Sequence, residues 1–135
     1  MGRTATTSHE RLHGRRILIV EDVAILAFGF EQILRRAGAE VVGPALKLEV
    51  AERLAGEETL SAALLDIRLN GDEVWSVARL LDQKGVPFAF CTGHFDSERL
   101  PVEWRTRPLL AKPARPRAII DTMAGLFEAS ICEGR

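Results

Sequence analysis

Apolar residues occur along this chain in short blocks of two kinds. Arg16-Ile17-Leu18-Ile19-Val20 is a β-branched run with polar neighbours, and Phe88-Ala89-Phe90-Cys91 is a second apolar run, opened by Pro87 and ending in Thr92. Ala62-Ala63-Leu64-Leu65 runs straight into Asp66. Such runs predict strands buried on both faces. Between them the period lengthens. Ile25, Phe28, Gly29 and Ile33, with Leu26, Phe30 and Ala37 alongside, predict the inward face of a helix that starts at Ala24. Arg35 and Arg36 suit its negative end, and Gly38 its stop. Leu48, Ala51, Leu54 and Ala55 mark a second helix, ending near Gly56. Val74, Val77, Ala78 and Leu81 mark a third, with Asp72 as its cap and Gly85 after it. Ile119, Ile120, Met123, Phe127 and Ile131 mark a last helix opening near Pro116. Residues 40–43, closed by Pro44, and residues 109–111 supply the remaining strands. Pro101 forbids one long helix across 93–107, so a short or broken one is expected there.

Strand and helix thus alternate, which predicts an α/β domain: a doubly wound, five-stranded parallel sheet with helices on both faces. The expected strand order is 2-1-3-4-5. That order makes strands 1 and 3 neighbours and opens a crevice at their carboxyl ends. Glu21 and Asp22 close strand 1, Asp66 closes strand 3, Thr92 closes strand 4 and Lys112 closes strand 5. Polar, aperiodic residues 1–14 read as a flexible N-terminal tail, leaving 15–135 as the domain.

Composition narrows the function classes. The 135 residues are 47% hydrophobic and 27% charged, with a formal net charge of -1. That balance gives no electrostatic case for nucleic acid or a membrane surface. No apolar run approaches a membrane span, and the first residues lack a signal-peptide core. Cys91 and Cys132 suggest no disulfide scaffold, so a cytoplasmic location is expected, with Cys91 as a core filler. Lone His94 makes no metal site and reads as a surface residue, and His9 and His13 invite no ligand role. Trp75 and Trp104 read as packing residues.

Three carboxylates brought to one rim repel one another, and a hard divalent cation is the natural relief. Mg2+ favours a few carboxylates plus waters and a phosphate oxygen. Thr92 adds a hydroxyl and Lys112 a point charge. Lysine is scarce here (Lys47, Lys84, Lys112) against many arginines, so a lysine at a strand terminus carries weight. An acid cluster, a cation, a hydroxyl and an ammonium make a phosphoryl site, with Asp66 the best-placed nucleophile.

At these residues the chain resembles a known family. Glu21-Asp22, Asp66, Thr92 and Lys112-Pro113, each closing a strand, resemble the receiver domain of two-component response regulators, over about residues 15–132. Phe90-Cys91-Thr92-Gly93-His94-Phe95 is similar to a subgroup of stand-alone receivers with the signature Phe-Ala-Thr-Gly-hydrophobic-Tyr, as are Gly43-Pro44-Ala45 and the break at Leu100-Pro101. The resemblance implies a flavodoxin-like fold and a signalling protein rather than an enzyme. Asp66 would accept a phosphoryl group from a sensor histidine kinase or histidine phosphotransfer protein. Glu21, Asp22, Asp66 and the backbone carbonyl of Arg68 would serve Mg2+, with Asp22 and Asp66 as direct ligands. Thr92 would bond a phosphate oxygen, and Lys112 would pair with the phosphate across a Lys112-Pro113 bond that is often cis. The output would be contact with a downstream protein by a monomer or weak dimer, through the face of the fourth helix, fifth strand and last helix. Asn70-Gly71 stand where the family usually carries a proline, and Leu109 where it is usually aromatic. Phe95 is the aromatic available for switching. Arg68 stands two residues after Asp66, within reach of the phosphate. Three other readings are a phosphoryl sink, a binding module that is never phosphorylated, and a hydrolase with an aspartyl-phosphate intermediate. The last needs a second acid where Arg68 stands.

Overall fold

The computed structural model describes residues 10–93 and 100–133, with side chains as far as 128. The expected apolar runs form strands β1 (Arg16–Val20), β2 (Glu40–Ala45) and β3 (Ala62–Leu65). Two short strands follow, β4 (Arg68–Leu69) and β5 (Asp72–Glu73), then β6 (Phe88–Thr92) and β7 (Leu109–Ala111). The helices are α1 (Ala24–Arg36), α2 (Leu48–Glu57), α3 (Trp75–Gln83) and α4 (Pro116–Glu133). The main sheet has five strands in the order β2-β1-β3-β6-β7, all parallel. This is the predicted 2-1-3-4-5 order, with β6 and β7 as the fourth and fifth sheet strands.

Alternation along each strand divides the core in two. Leu18, Val20, Ala63, Leu65, Phe88 and Phe90 face α2 and α3. Ile17, Ile19, Leu64, Ala89 and Cys91 face α1 and α4. On the first face an aromatic chain runs Trp75, Phe90, Phe88, Trp104, with centroids 5.8, 5.4 and 5.6 Å apart, each contact edge-on. Trp104 closes the one-turn 3-10 helix Val102–Trp104, the short helix that Pro101 allows.

Three expectations are corrected. The inward face of α1 is Ala27, Phe30 and Leu34, not Ile25 and Phe28. Ile25 is 77% and Phe28 57% exposed, and Val23 and Leu26 are exposed beside them. The tract from Val23 to Phe30 is almost wholly apolar, so its period does not set its phase. The sheet sets it by taking small Ala27 where helix and strand approach. Asp72 does not cap α3, because it pairs with Leu69 in an antiparallel ribbon and α3 starts after Val74 without a side-chain cap. The boundary after residue 14 falls inside packed structure. Leu12 is fully buried and donates its backbone N–H to Ala37 O at 2.9 Å. The expected roles of His94 and Phe95, and of the Ile131 and Cys132 side chains, lie outside the described residues.

Strand β2 carries an irregularity that matters at the rim. Leu18 pairs with Val42 but Val20 pairs with Ala45, so β2 holds one extra residue. Gly43 makes the bulge with φ +93, and a Cβ there would lie 2.7 Å from Ala45 N. Gly43-Pro44 and Lys112-Pro113 are cis peptide bonds. Among the described residues no helix is long and apolar enough to cross a membrane.

Candidate functional site

The carboxyl ends of β1 and β3 are tied to each other and to β2. Asp66 donates its N–H to Val20 O at 2.8 Å, and Glu21 donates its N–H to Ala45 O at 3.0 Å. The β2 bulge thus delivers the carbonyl that holds the acidic loop. On the other side, Lys112 donates its N–H to Thr92 O at 2.9 Å, which joins the ends of β6 and β7.

These ties bring the predicted side chains together. Carboxylate oxygens of Glu21, Asp22 and Asp66 lie within 4.8 Å of one another. Lys112 Nζ reaches between two of them, 2.5 Å from Glu21 Oε1 and 3.2 Å from Asp66 Oδ2. Glu21 is fully buried, and its Oε2 accepts the Val23 N–H at 3.1 Å. Asp66 and Thr92 are buried, while Asp22 is only partly so. Arg68 heads the β4–β5 ribbon opposite Glu73, with its side chain exposed.

The electrostatics follow from crowding. Burial, then the Glu21 charge, push the Asp66 carboxyl up to about 7 against the pull of Lys112. Burial works to lower the Lys112 ammonium, yet its hydrogen bond to Glu21 and the Asp66 charge outweigh this and raise it. Asp22 goes the other way: burial would raise it, but hydrogen bonds from the Asn70 backbone and its immediate neighbours hold it below the ordinary value. Burial pushes the Cys91 thiol up to about 11, which suits an inert core filler.

Three carboxylates facing one ammonium leave a surplus of negative charge, and all the side-chain donors are oxygens. That donor set fits Mg2+. Glu21 is fully buried, with Oε2 on the Val23 N–H and Oε1 facing Lys112, so the less buried Asp22 and Asp66 fit direct coordination better.

Two contacts at the site are not announced by residue type. The Ala45 carbonyl and the Asn70 N–H both belong to the backbone. A usable signal for the second existed: Asn-Gly is the favoured pair of a two-residue hairpin. Asn70 (φ +52) and Gly71 (φ +91) form that turn between Leu69 and Asp72.

No family model matches the sequence, and no curated protein does. Solved structures do. The response regulator PhyR from Brucella abortus superposes with a TM-score of 0.76 at 29% identity, over 96% of this chain. This chain spans 55% of the PhyR length. SdrG from Sphingomonas melonis Fr1 gives 0.74 at 31% identity, over 84% of this chain and 96% of its own. A CheY-like response regulator receiver domain protein from Methanospirillum hungatei JF-1 gives 0.77 at 23% identity, over 88% and 98%, a likeness of fold alone. With its sheet order, its acid-lined rim and these neighbours, the chain has the receiver fold of the response regulators.

Proposed function

We propose that this protein is a phosphoacceptor signalling protein, in which Asp66 takes a phosphoryl group from a phosphohistidine on a sensor kinase or phosphotransfer protein. The observation that carries this reading is the placement of Lys112 Nζ between Glu21 and Asp66, where acids at the ends of two strands converge. Asp66 attacks phosphorus through a carboxylate oxygen. The P–N bond breaks as the P–O bond forms, and the imidazole leaves and regains its proton. Lys112 meets the negative charge of the equatorial oxygens, and the Thr92 hydroxyl takes one of them. Asp22, Asp66 and the Arg68 carbonyl would hold Mg2+, whose role is to neutralise phosphate charge. Glu21 orients Lys112 and the acidic loop.

The exposed apolar face of α1 supports a protein donor. Val23, Ile25, Leu26 and Phe28 begin directly after Asp22, so a partner seated there stands beside the acceptor. Phosphorylation then reaches a downstream partner through Thr92 and the segment that follows β6. No catalytic turnover of a separate substrate is part of this reading.

Phosphoramidate carries the same P–N bond as phosphohistidine and tests the proposal without a cognate partner. With Mg2+ it is expected to add one phosphoryl mass to the parent protein and none to Asp66→Asn. An unmodified parent, or equal modification of the variant, contradicts the proposal.

A further inference from the structure

We infer that the Leu69–Asp72 hairpin is a positioning device for Asp22, and that it acts through the backbone N–H of Asn70. The inference rests on the proposed Mg2+-dependent acceptor site. Asn70 N lies 2.9 Å from Asp22 Oδ2, across 48 residues of sequence. The hairpin itself sits between the acceptor strand and α3, and its strands are only two residues each. Such a short ribbon has little pairing of its own. It is anchored at both ends: Leu69 is buried in the core, and Val74 donates its N–H to Ile67 O at 2.9 Å. Glu73 Oε1 accepts the Trp75 indole N–H at 2.9 Å, which ties the ribbon to the start of α3. The tip is thereby pinned over the acidic loop, with its N–H aimed at one carboxylate oxygen.

The consequence for Asp22 is orientational. A partly exposed aspartate rotates freely about χ2 unless one oxygen is fixed. Fixing Oδ2 leaves the other oxygen to turn toward Asp66, the arrangement a shared cation needs. Partners that orient a ligand in this way commonly govern ~10- to 100-fold of metal affinity. The side chain of Asn70 is not the donor. What the position requires is a residue that tolerates φ +52 and keeps its N–H.

That requirement sets the test. Calorimetric Mg2+ titrations compare the parent with Asn70→Gly and Asn70→Val. Glycine keeps the turn and the donor, so its affinity should match the parent. A β-branched residue resists positive φ, so valine should weaken binding ~10-fold or more while circular dichroism stays native. Equal affinity in parent and Asn70→Val overturns the inference. A parent that binds no Mg2+ overturns the acceptor-site reading instead. Amide hydrogen exchange in chelator, on the parent and on Asp22→Ala, is independent of metal and of the valine variant's folding. The Asn70 N–H should be protected in the parent and exchange faster in Asp22→Ala; equal exchange in the two overturns the inference.

Discussion

Asp66 is a carboxyl displaced far above its ordinary range, and the displacement has a sign that can be measured. Its pKa stands at about 7, because burial and then Glu21 disfavour its charge more than Lys112 favours it. In the unfolded chain it titrates near ~3.9. Between those values the folded protein binds a proton that the unfolded chain has lost. In chelator, stability should therefore fall as pH rises from about 4 to about 7, with no further loss from this group above that window. Urea melts across the window check this, and Asp66→Asn should flatten the slope. Asp22, held low, acts in the opposite sense and only at more acid pH, where protonation removes its contribution. A bound cation must displace the Asp66 proton, so Mg2+ affinity should rise through the same window. At this scale the sequence was informative where chemistry resides in a side chain at the end of a strand. Glu21, Asp22, Asp66, Thr92 and Lys112 all stand at the predicted rim. It was silent where the contact is made by backbone, as at Ala45 and Asn70.

Each main element was legible in kind, and α1 shows what was not. Its start, its closing arginines and Gly38 beyond it agree with the pattern. Its rotation does not, since nearly every residue of its first two turns is apolar and several faces could turn inward. The outcome is an unpaired apolar surface at the mouth of the site. Phe28→Ser removes a side chain that is 57% exposed, so folding stability should change by no more than about 0.5 kcal/mol. Phosphoryl transfer from a cognate histidine donor should weaken by about 1 kcal/mol or more in apparent affinity, while phosphoramidate labelling stays unchanged. Parallel loss with both donors would place the residue in folding rather than docking. The β4–β5 ribbon is hidden in the sequence for another reason. It is too short to show alternation, and only its Asn-Gly turn marked it.

Across the whole molecule, sheet order followed from the alternation of strand and helix, and the order alone gathered the rim residues. Packing between layers did not follow so directly. The edge-on chain from Trp75 through Phe90 and Phe88 to Trp104 links the start of α3 to the 3-10 turn after β6. Phe88, fully buried at its centre, should cost ~3–5 kcal/mol when replaced by alanine, read from the shift in urea midpoint. Phe90 of that chain stands two residues before Thr92 on β6.

An acceptor at Asp66 requires that the acids at the ends of β1 and β3 share one cation. Mg2+ titration by calorimetry tests this directly. The parent should bind one ion, Asp22→Asn and Asp66→Asn should each abolish or severely weaken binding, and Asp72→Asn, an exposed acid of the neighbouring ribbon, should bind as the parent does. Undiminished binding in Asp22→Asn and Asp66→Asn would contradict it.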